Sequence, residues 1–150
     1  MSELVPASHV FIDNPASSID EVQRFLAEQA VSAGAATDAE AVYEAFRARE
    51  AVGTTGMMDG FAIPHAKSPN IREACVFVVR LAQGIEWHSM DNKPVTCAIS
   101  LLMPDSEKGA AHLELLSKIA VLLMDDAVRS KLASAGSASE LAAVLNGALA

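Results

Sequence analysis

A histidine directly after the short apolar run Phe61-Ala62-Ile63 is the first candidate for chemistry in this chain of 150 residues. Pro64 cannot donate a hydrogen bond to a sheet, so we expect the strand to end there and His65 to stand where a loop begins. A histidine in that position has a fixed backbone and an accessible ring. Its neutral imidazole can act as a nucleophile near pH 7. The alternative interpretation is a histidine that is simply exposed after a strand.

His112 stands at the start of a second informative pattern, an apolar stripe with the 3.6-residue period of a helix that packs on a sheet. The stripe continues with Leu116, Ile119 and Leu123. In the first turn of a helix the macrodipole favours an anion over a cation, so a neutral imidazole beside free backbone N–H groups could help to hold a phosphate. The other interpretation is a histidine at the edge of the core that is bonded to a backbone carbonyl.

Arg49 follows Val42 and Phe46 at helical spacing, so we expect it to leave its helix on or near the buried face. An arginine on an inward stripe needs an anionic partner, and the planar guanidinium suits the oxygens of a phosphate. Its alternative role is to complement the dipole at the helix C-terminus. Arg47 points elsewhere on the same helix and is expected to be solvated.

The loop of residues 53–60 is rich in glycine and leads directly to the candidate strand. Its glycines allow the backbone to approach a ligand, and Thr54 and Thr55 offer hydroxyl groups that could bind a phosphoryl oxygen. Met57 and Met58 either form a soft docking patch or fill the core. The loop lacks the Gly-Lys-Ser/Thr ending of a nucleotide-binding P-loop.

Composition excludes several classes of function. The net charge is −8 and the pI is near 4.8, and no cluster of Lys and Arg offsets them, so nucleic acids and anionic membrane surfaces are poor partners. The apolar runs are too short for membrane insertion and no signal peptide is evident, which predicts a cytoplasmic protein. Cys75 and Cys97 lie in apolar runs and are expected to be buried, reduced thiols. His65 and His112 lack a third ligand at a telling spacing, so no metal site is predicted.

Capping boxes and apolar periodicity place the remaining elements. We expect helices over 18–33, 37–50, 112–124, 126–133 and 137–149, and strands over 8–12, 61–63, 75–81 and 94–103. Helices and strands alternate, and the strands are mostly apolar throughout, as in a sheet that is covered on both sides. The sequence therefore predicts one α/β domain over 1–150, a sandwich with a mixed, largely parallel sheet flanked by helices on both faces.

Three separated segments resemble one known family. They are Arg49-Glu50, the run Thr-Thr-Gly-Met-Met-Asp-Gly-Phe-Ala-Ile-Pro-His-Ala-Lys that ends at Lys67, and His112-Leu-Glu-Leu-Leu. Together they resemble the enzyme IIA domain of the sugar phosphotransferase system, of the fructose/mannitol class. The Trp-His-Ser-Met-Asp segment that begins at Trp87 is most similar to fructose-type members. The resemblance covers nearly the whole chain and implies an α/β sandwich with a mixed sheet.

The resemblance implies a phosphocarrier, which is a phosphotransferase component. The small protein HPr, phosphorylated on a histidine, would donate the phosphoryl group to His65. His65 would pass it to a cysteine of enzyme IIB, and from there it would reach sugar that enters through enzyme IIC. Arg49 and His112 match active-site positions of the family and would neutralise and stabilise the phosphoryl group, with Thr54 or Thr55 as a further donor. The scheme requires no metal and no cofactor.

The cysteine-bearing loop of an enzyme IIB domain and a membrane domain are both absent from the sequence. The chain is therefore expected to be a free-standing IIA protein or a fragment of a longer one that meets IIB in trans, with Met57, Met58 and Phe61 as candidate docking residues. The alternative function is a regulatory protein of the nitrogen-phosphotransferase type, in which phosphorylation of His65 controls partner binding. A binding domain that has lost phosphorylation is disfavoured because all three candidate site residues are present.

Overall fold

The computed structural model describes residues 4–105 and 109–150, and for residues 109–112 it describes the backbone only. Within these residues, five strands and five α-helices follow a short 3-10 turn, Ala7–His9. The strands are β1 (Val10–Asn14), β2 (Phe61–Ala62), β3 (His65–Ser68), β4 (Cys75–Ile85) and β5 (Val95–Pro104). The helices are α1 (Ile19–Ser32), α2 (Ala39–Ala51), α3 (Gly109–Leu122), α4 (Asp126–Ser134) and α5 (Ala138–Leu149).

The strands form one mixed sheet in the order β1-β4-β5-β2, and β3 also pairs with β5. The pairing between β4 and β5 is antiparallel, whereas β1 runs parallel to β4, and β2 and β3 run parallel to β5. The predicted mixed, largely parallel sheet is therefore confirmed. The antiparallel pair is the longest in the sheet and forms its centre.

Alternate residues of β4 enter two cores on opposite faces of the sheet, because successive side chains of a strand point in opposite directions. Phe77 and Val79 pack with buried residues of α1 and α2. Val76 and Val78 pack with buried residues of α3, α4 and α5. The helices thus flank both faces as predicted, and this explains why the strand is apolar along most of its length.

The predicted helix caps are confirmed at two of three helices. Ser18 and Ser137 cap α1 and α5, and each hydroxyl accepts a backbone N–H of the first turn at 3.1 Å. At α2 the prediction is wrong by one residue, because the N-cap is Asp38 rather than Thr37 and its carboxylate accepts the N–H of Ala41. Two neighbouring residues with capping side chains compete here, and the aspartate is used.

Four other predicted boundaries differ from the structure. The first strand begins at Val10, because the residues before it form the 3-10 turn, and β4 continues past its predicted end at Leu81 to Ile85. Helix α3 begins before the predicted start at His112, at Gly109. A whole strand, β3, was predicted as loop and is taken up with the site below.

None of the helices described in residues 4–105 and 109–150 combines the length and the apolar character that crossing a bilayer demands.

Both cysteines are free, buried thiols in the sheet, as predicted. Burial raises the pKa of Cys75 and of Cys97 to about 12, so their thiolate fraction in mildly alkaline buffer is about 10³-fold below that of an ordinary cysteine. We expect iodoacetamide to leave both thiols unmodified in the native protein and to modify both in denaturant, as read from the intact mass. Rapid alkylation of the native protein would contradict this and would mean that the sheet opens locally.

Candidate functional site

His65 is the first residue of β3, on the edge of the sheet that pairs with β5. It lies opposite Leu101 in a parallel register, so the two side chains share the sheet face that α3, α4 and α5 cover. The prediction that His65 begins a loop is wrong, because Pro64 separates two short strands instead of ending one. The carbonyl of Pro64 accepts the N–H of Leu101 at 3.1 Å, and the histidine side chain is partly exposed.

Both ring nitrogens of His65 have defined partners. Nδ1 lies 2.9 Å from the carbonyl oxygen of Ile63, which can only accept, so Nδ1 carries the proton. Nε2 accepts a hydrogen bond from Nε of Arg49 at 2.9 Å, because a guanidinium nitrogen is always a donor. The two contacts therefore select the tautomer that has its lone pair on Nε2.

The surroundings of His65 favour the neutral imidazole. Burial is the main effect that lowers the pKa of His65 below its usual value, and the positive charge of Arg49 acts in the same direction. The hydrogen bond to the carbonyl of Ile63 and the charge of Glu50 oppose them. Since the net shift is downward, the lone pair on Nε2 is available at neutral pH.

Arg49 lies in the last turn of α2 and is half-buried, in agreement with its position on the inward stripe. Its Nη1 donates to the carbonyl of Gly53 at 2.8 Å while its Nε contacts His65. The guanidinium is thus held between the helix end and the ring. A fixed positive charge at the lone pair of a nucleophilic nitrogen suits attack on an electrophile that carries negative oxygens, such as a phosphoryl group.

Thr54 and Thr55 direct their hydroxyl protons to other protein groups. The Thr55 hydroxyl, which is buried, donates to Oε1 of Glu50 at 2.6 Å, and the Thr54 hydroxyl donates to the backbone carbonyl of His88. Both residues thereby position the loop of residues 53–60. Their predicted role as phosphoryl ligands stays a prediction.

Close packing explains the glycine at position 56 in the same loop. Gly56 forms a bridge with Ala62, and a Cβ on Gly56 would lie 2.3 Å from the carbonyl oxygen of His88. Any larger residue would push this segment away from the loop.

Arg129 anchors the loop from the opposite half of the chain. Although it is only 7% exposed, this α4 residue donates from Nε to a carboxylate oxygen of Asp59 at 3.1 Å and from Nη1 to the carbonyl of Leu123 at 2.6 Å. Lys93 lies 3.6 Å from the other carboxylate oxygen of Asp59. Asp59 itself has a positive φ of 58°, a conformation that these contacts help to hold.

Glu50 and Trp87 are site residues that the analysis of single residues missed. The Glu50 carboxylate accepts hydrogen bonds from Thr55 and from the indole Nε1 of Trp87, the latter at 3.2 Å. Trp87 is 3% exposed. Both residues lie in the segments that carry the family resemblance, which was the one signal in the sequence that could have selected them.

The predicted docking residues have different environments. Phe61 is 2% exposed, so its prediction as a docking residue is wrong: β2 is covered on the face to which this side chain points. Met57 is partly buried against the same core, and Met58 is half-buried. Met90 is 63% exposed, and its N–H donates to the carbonyl of Met57 at 2.9 Å. We call Met57, Met58 and Met90 the methionine patch.

His112 lies in the first turn of α3, and this helix follows β5 and covers the sheet face that carries His65. The side chain of His112 is outside the described residues, so its role in the site stays a prediction. Within residues 4–105 and 113–150, no three His, Cys, Asp or Glu side chains come together as metal ligands would.

One family model and several characterised proteins are similar to this chain. Residues 3–148 match the model described as "Phosphoenolpyruvate-dependent sugar phosphotransferase system, EIIA 2". The fructose-specific EIIA component of the phosphotransferase system of Haloferax volcanii is 34% identical over 145 residues, which are 97% of this chain and 94% of that protein. Among solved structures, nitrogen regulatory protein IIA-Ntr from Neisseria meningitidis has a TM-score of 0.87 and 30% identity, over 95% of this chain and 96% of the other. The complex of enzyme IIAMTL and phosphorylated enzyme IIBMTL from Escherichia coli shares the fold, with a TM-score of 0.79 and 22% identity over 95% of this chain and 97% of that one.

Proposed function

Because the chain belongs to the EIIA type-2 family of the phosphoenolpyruvate-dependent sugar phosphotransferase system, we propose that it carries a phosphoryl group on Nε2 of His65. It accepts the group from phospho-HPr and passes it to a cysteine of an enzyme IIB, for sugar uptake of the fructose type. The observation that carries the proposal is the placement of a neutral, Nδ1-protonated imidazole against the guanidinium of Arg49.

The transfer begins with the lone pair on Nε2 of His65. This nitrogen attacks phosphorus, the new N–P bond forms as the N–P bond of phospho-HPr breaks, and the histidine of HPr leaves with that electron pair. Such transfer depends on in-line positioning and on charge stabilisation more than on covalent help from the protein. Since Nε of Arg49 lies on the lone pair in the resting state, the guanidinium moves from Nε2 onto the phosphoryl oxygens as they arrive.

The Ile63 carbonyl has its own part in this scheme. When Nε2 of His65 bonds to phosphorus, positive charge develops on the ring and its Nδ1–H becomes a stronger donor. The carbonyl oxygen at 2.9 Å accepts that hydrogen bond and stabilises the charge without removing the proton. The same contact holds the ring in one orientation when the phosphoryl group leaves for IIB.

The test is the intact mass of the protein after incubation with phosphoenolpyruvate, enzyme I and HPr. We expect one acid-labile phosphoryl adduct that forms only when all three are present, with phosphorus bonded to Nε2 in the NMR spectrum of the histidine ring. No adduct on folded protein, with an active HPr confirmed on another IIA protein, would overturn the proposal.

A regulatory role is the second candidate, and the similarity to nitrogen regulatory protein IIA-Ntr favours it. The chemistry at His65 would be the same, but the phosphoryl group would change the affinity for a regulatory partner instead of moving on. Addition of a fructose-type enzyme IIB to the phosphorylated protein separates the two roles. Formation of phosphocysteine on IIB supports transport, whereas a phosphoryl group that stays on His65 supports regulation.

The methionine patch is proposed to contact the phosphoryl donor. We expect Met58→Asp and Met90→Asp each to raise the KM for phospho-HPr about 10-fold with little change in kcat, because they place a charge in an apolar contact. Val121→Asp is the matched control, since Val121 is 65% exposed on α3. Equal KM values for the patch variants and the control would remove the patch from the docking surface. Met57 is left intact because it also packs against the core.

A further inference from the structure

The carboxylate of Glu50 receives three hydrogen bonds from two separate parts of the chain. Oε2 accepts the backbone N–H of Thr55 at 2.8 Å and the indole N–H of Trp87 at 3.2 Å, and Oε1 accepts the Thr55 hydroxyl at 2.6 Å. Hydrogen bonds to a charged acceptor are strong, and in a half-buried position each of them must break before the group can move. Glu50 is therefore held in one position.

The contacts continue as a path of backbone hydrogen bonds from Glu50 to His65. The carbonyl of Thr55 accepts the N–H of Ile63 at 2.9 Å. The carbonyl of Ile63 in turn accepts Nδ1–H of His65 at 2.9 Å. The orientation of the ring therefore depends on the pairing of Thr55 with Ile63, which Glu50 fixes from the other side.

The end of a single helix reaches both ring nitrogens of His65. Arg49 contacts Nε2 directly, and the path from Glu50, the next residue of α2, ends at Nδ1. We propose that Glu50 is a positioning residue for phosphoryl transfer, which holds the pairing of Thr55 with Ile63 so that Nε2 is aimed at the incoming phosphorus. This inference rests on the proposed function.

Two conservative substitutions separate the position of the Glu50 carboxylate from its charge. In Glu50→Gln, the amide oxygen can replace Oε2 as acceptor for Thr55 and Trp87, and the amide N–H can donate to the Thr55 hydroxyl oxygen, so the geometry is kept and the charge is lost. In Glu50→Asp, the charge is kept, but the carboxylate is one methylene shorter and cannot reach all three donors at once.

The experiment compares these two variants with the wild type in two measurements. One is the rate of phosphoryl transfer from phospho-HPr, and the other is the tautomer of His65 from the nitrogen chemical shifts of its ring. We expect Glu50→Gln to keep the wild-type rate and the Nδ1–H tautomer. Glu50→Asp should lower kcat on the order of 10-fold to 100-fold with KM unchanged and give a mixture of tautomers.

Matched controls on the same helix are Glu44→Gln and Glu44→Asp. The Glu44 side chain is 58% exposed, and we expect neither substitution to change the rate or the tautomer. Should Glu50→Asp not fold, Thr55→Val takes its place. It removes only the hydroxyl contact to Glu50 and is expected to lower kcat in the same direction by a smaller factor.

Two outcomes would overturn the positioning role. If Glu50 only stabilises the fold, Glu50→Asp will lower the melting temperature but leave the transfer rate of the folded protein and the tautomer unchanged. If Glu50 acts through its charge, Glu50→Gln will be the impaired variant. A wild-type protein that accepts no phosphoryl group would instead refute the proposed function, and the tautomer comparison would still test whether Glu50 positions the ring.

Discussion

The variant His65→Ala is expected to form no phosphoryl adduct at all in the presence of phosphoenolpyruvate, enzyme I and HPr. The substitution removes the Nε2 lone pair, and neither Arg49 nor a backbone group can replace it as a nucleophile. His65 is partly exposed at the start of β3, so the loss of the ring should not prevent folding. The measurement is the intact mass of the variant beside that of the wild type, with circular dichroism to verify the fold.

The matched control is His88→Ala, because the chain contains four histidines and an adduct on another ring would imitate a carrier. The His88 side chain is exposed, and it is the backbone carbonyl that receives the Thr54 hydroxyl. We expect this variant to be phosphorylated at the wild-type rate. An acid-labile adduct that persists in His65→Ala would move the carrier role to another histidine, with His112 the first to examine.

Periodicity placed Arg49 because its direction follows from its own helix. The spacing from Val42 and Phe46, both buried in the structure, fixed the face on which the guanidinium leaves α2. The same reasoning was successful for the long strand β4, whose continuous apolar run reflects cover on both faces. Wherever the determinant was local, the sequence was therefore sufficient.

Glu50 shows what local patterns cannot reveal. Its partners Thr55 and Trp87 lie five and 37 residues further along the chain, and the second contact exists only because β4 and the segment after it return to the end of α2. No spacing within one element encodes such a contact. A buried carboxylate network of this kind can be recognised in a structure or in a family resemblance, but not from periodicity.

The strand β3 shows a local rule that tertiary structure overrides. Pro64 lacks an N–H, and this absence predicted the end of a strand. In the structure, however, Pro64 contributes through its carbonyl, which accepts the N–H of Leu101 at 3.1 Å, and the chain then pairs with β5 for four more residues, His65–Ser68. His65 is therefore fixed by a sheet on both sides of the proline, which suits it for precise positioning better than a loop would.

Replacement of Arg49 is expected to have the second largest effect on phosphoryl transfer. Arg49→Gln removes the positive charge beside Nε2 of His65 and should slow transfer from phospho-HPr about 10²-fold to 10³-fold, the usual effect of losing one group that stabilises transition-state charge. Arg49→Lys should fall between the wild type and Arg49→Gln, because an ammonium restores the charge but not the planar fork. The measurement is the single-turnover rate at saturating phospho-HPr.

The matched control is Arg47→Gln, two residues earlier on α2, where the side chain is 58% exposed and lies 3.8 Å from Glu44. Its transfer rate should equal that of the wild type, so a general effect of net charge on docking would be detected in this variant.

The pH profile gives a second and independent test of Arg49. In the wild type the rate should fall with acidity only below the usual pKa of histidine, since burial and the charge of Arg49 both lower the pKa of His65 and the protonated ring has no lone pair on Nε2. Loss of the Arg49 charge removes one of these two effects. The acid limb of Arg49→Gln should therefore move to higher pH, while that of Arg47→Gln should not move. A slower Arg49→Gln with an unshifted acid limb would mean that the guanidinium acts on the phosphoryl donor alone and not on the resting histidine.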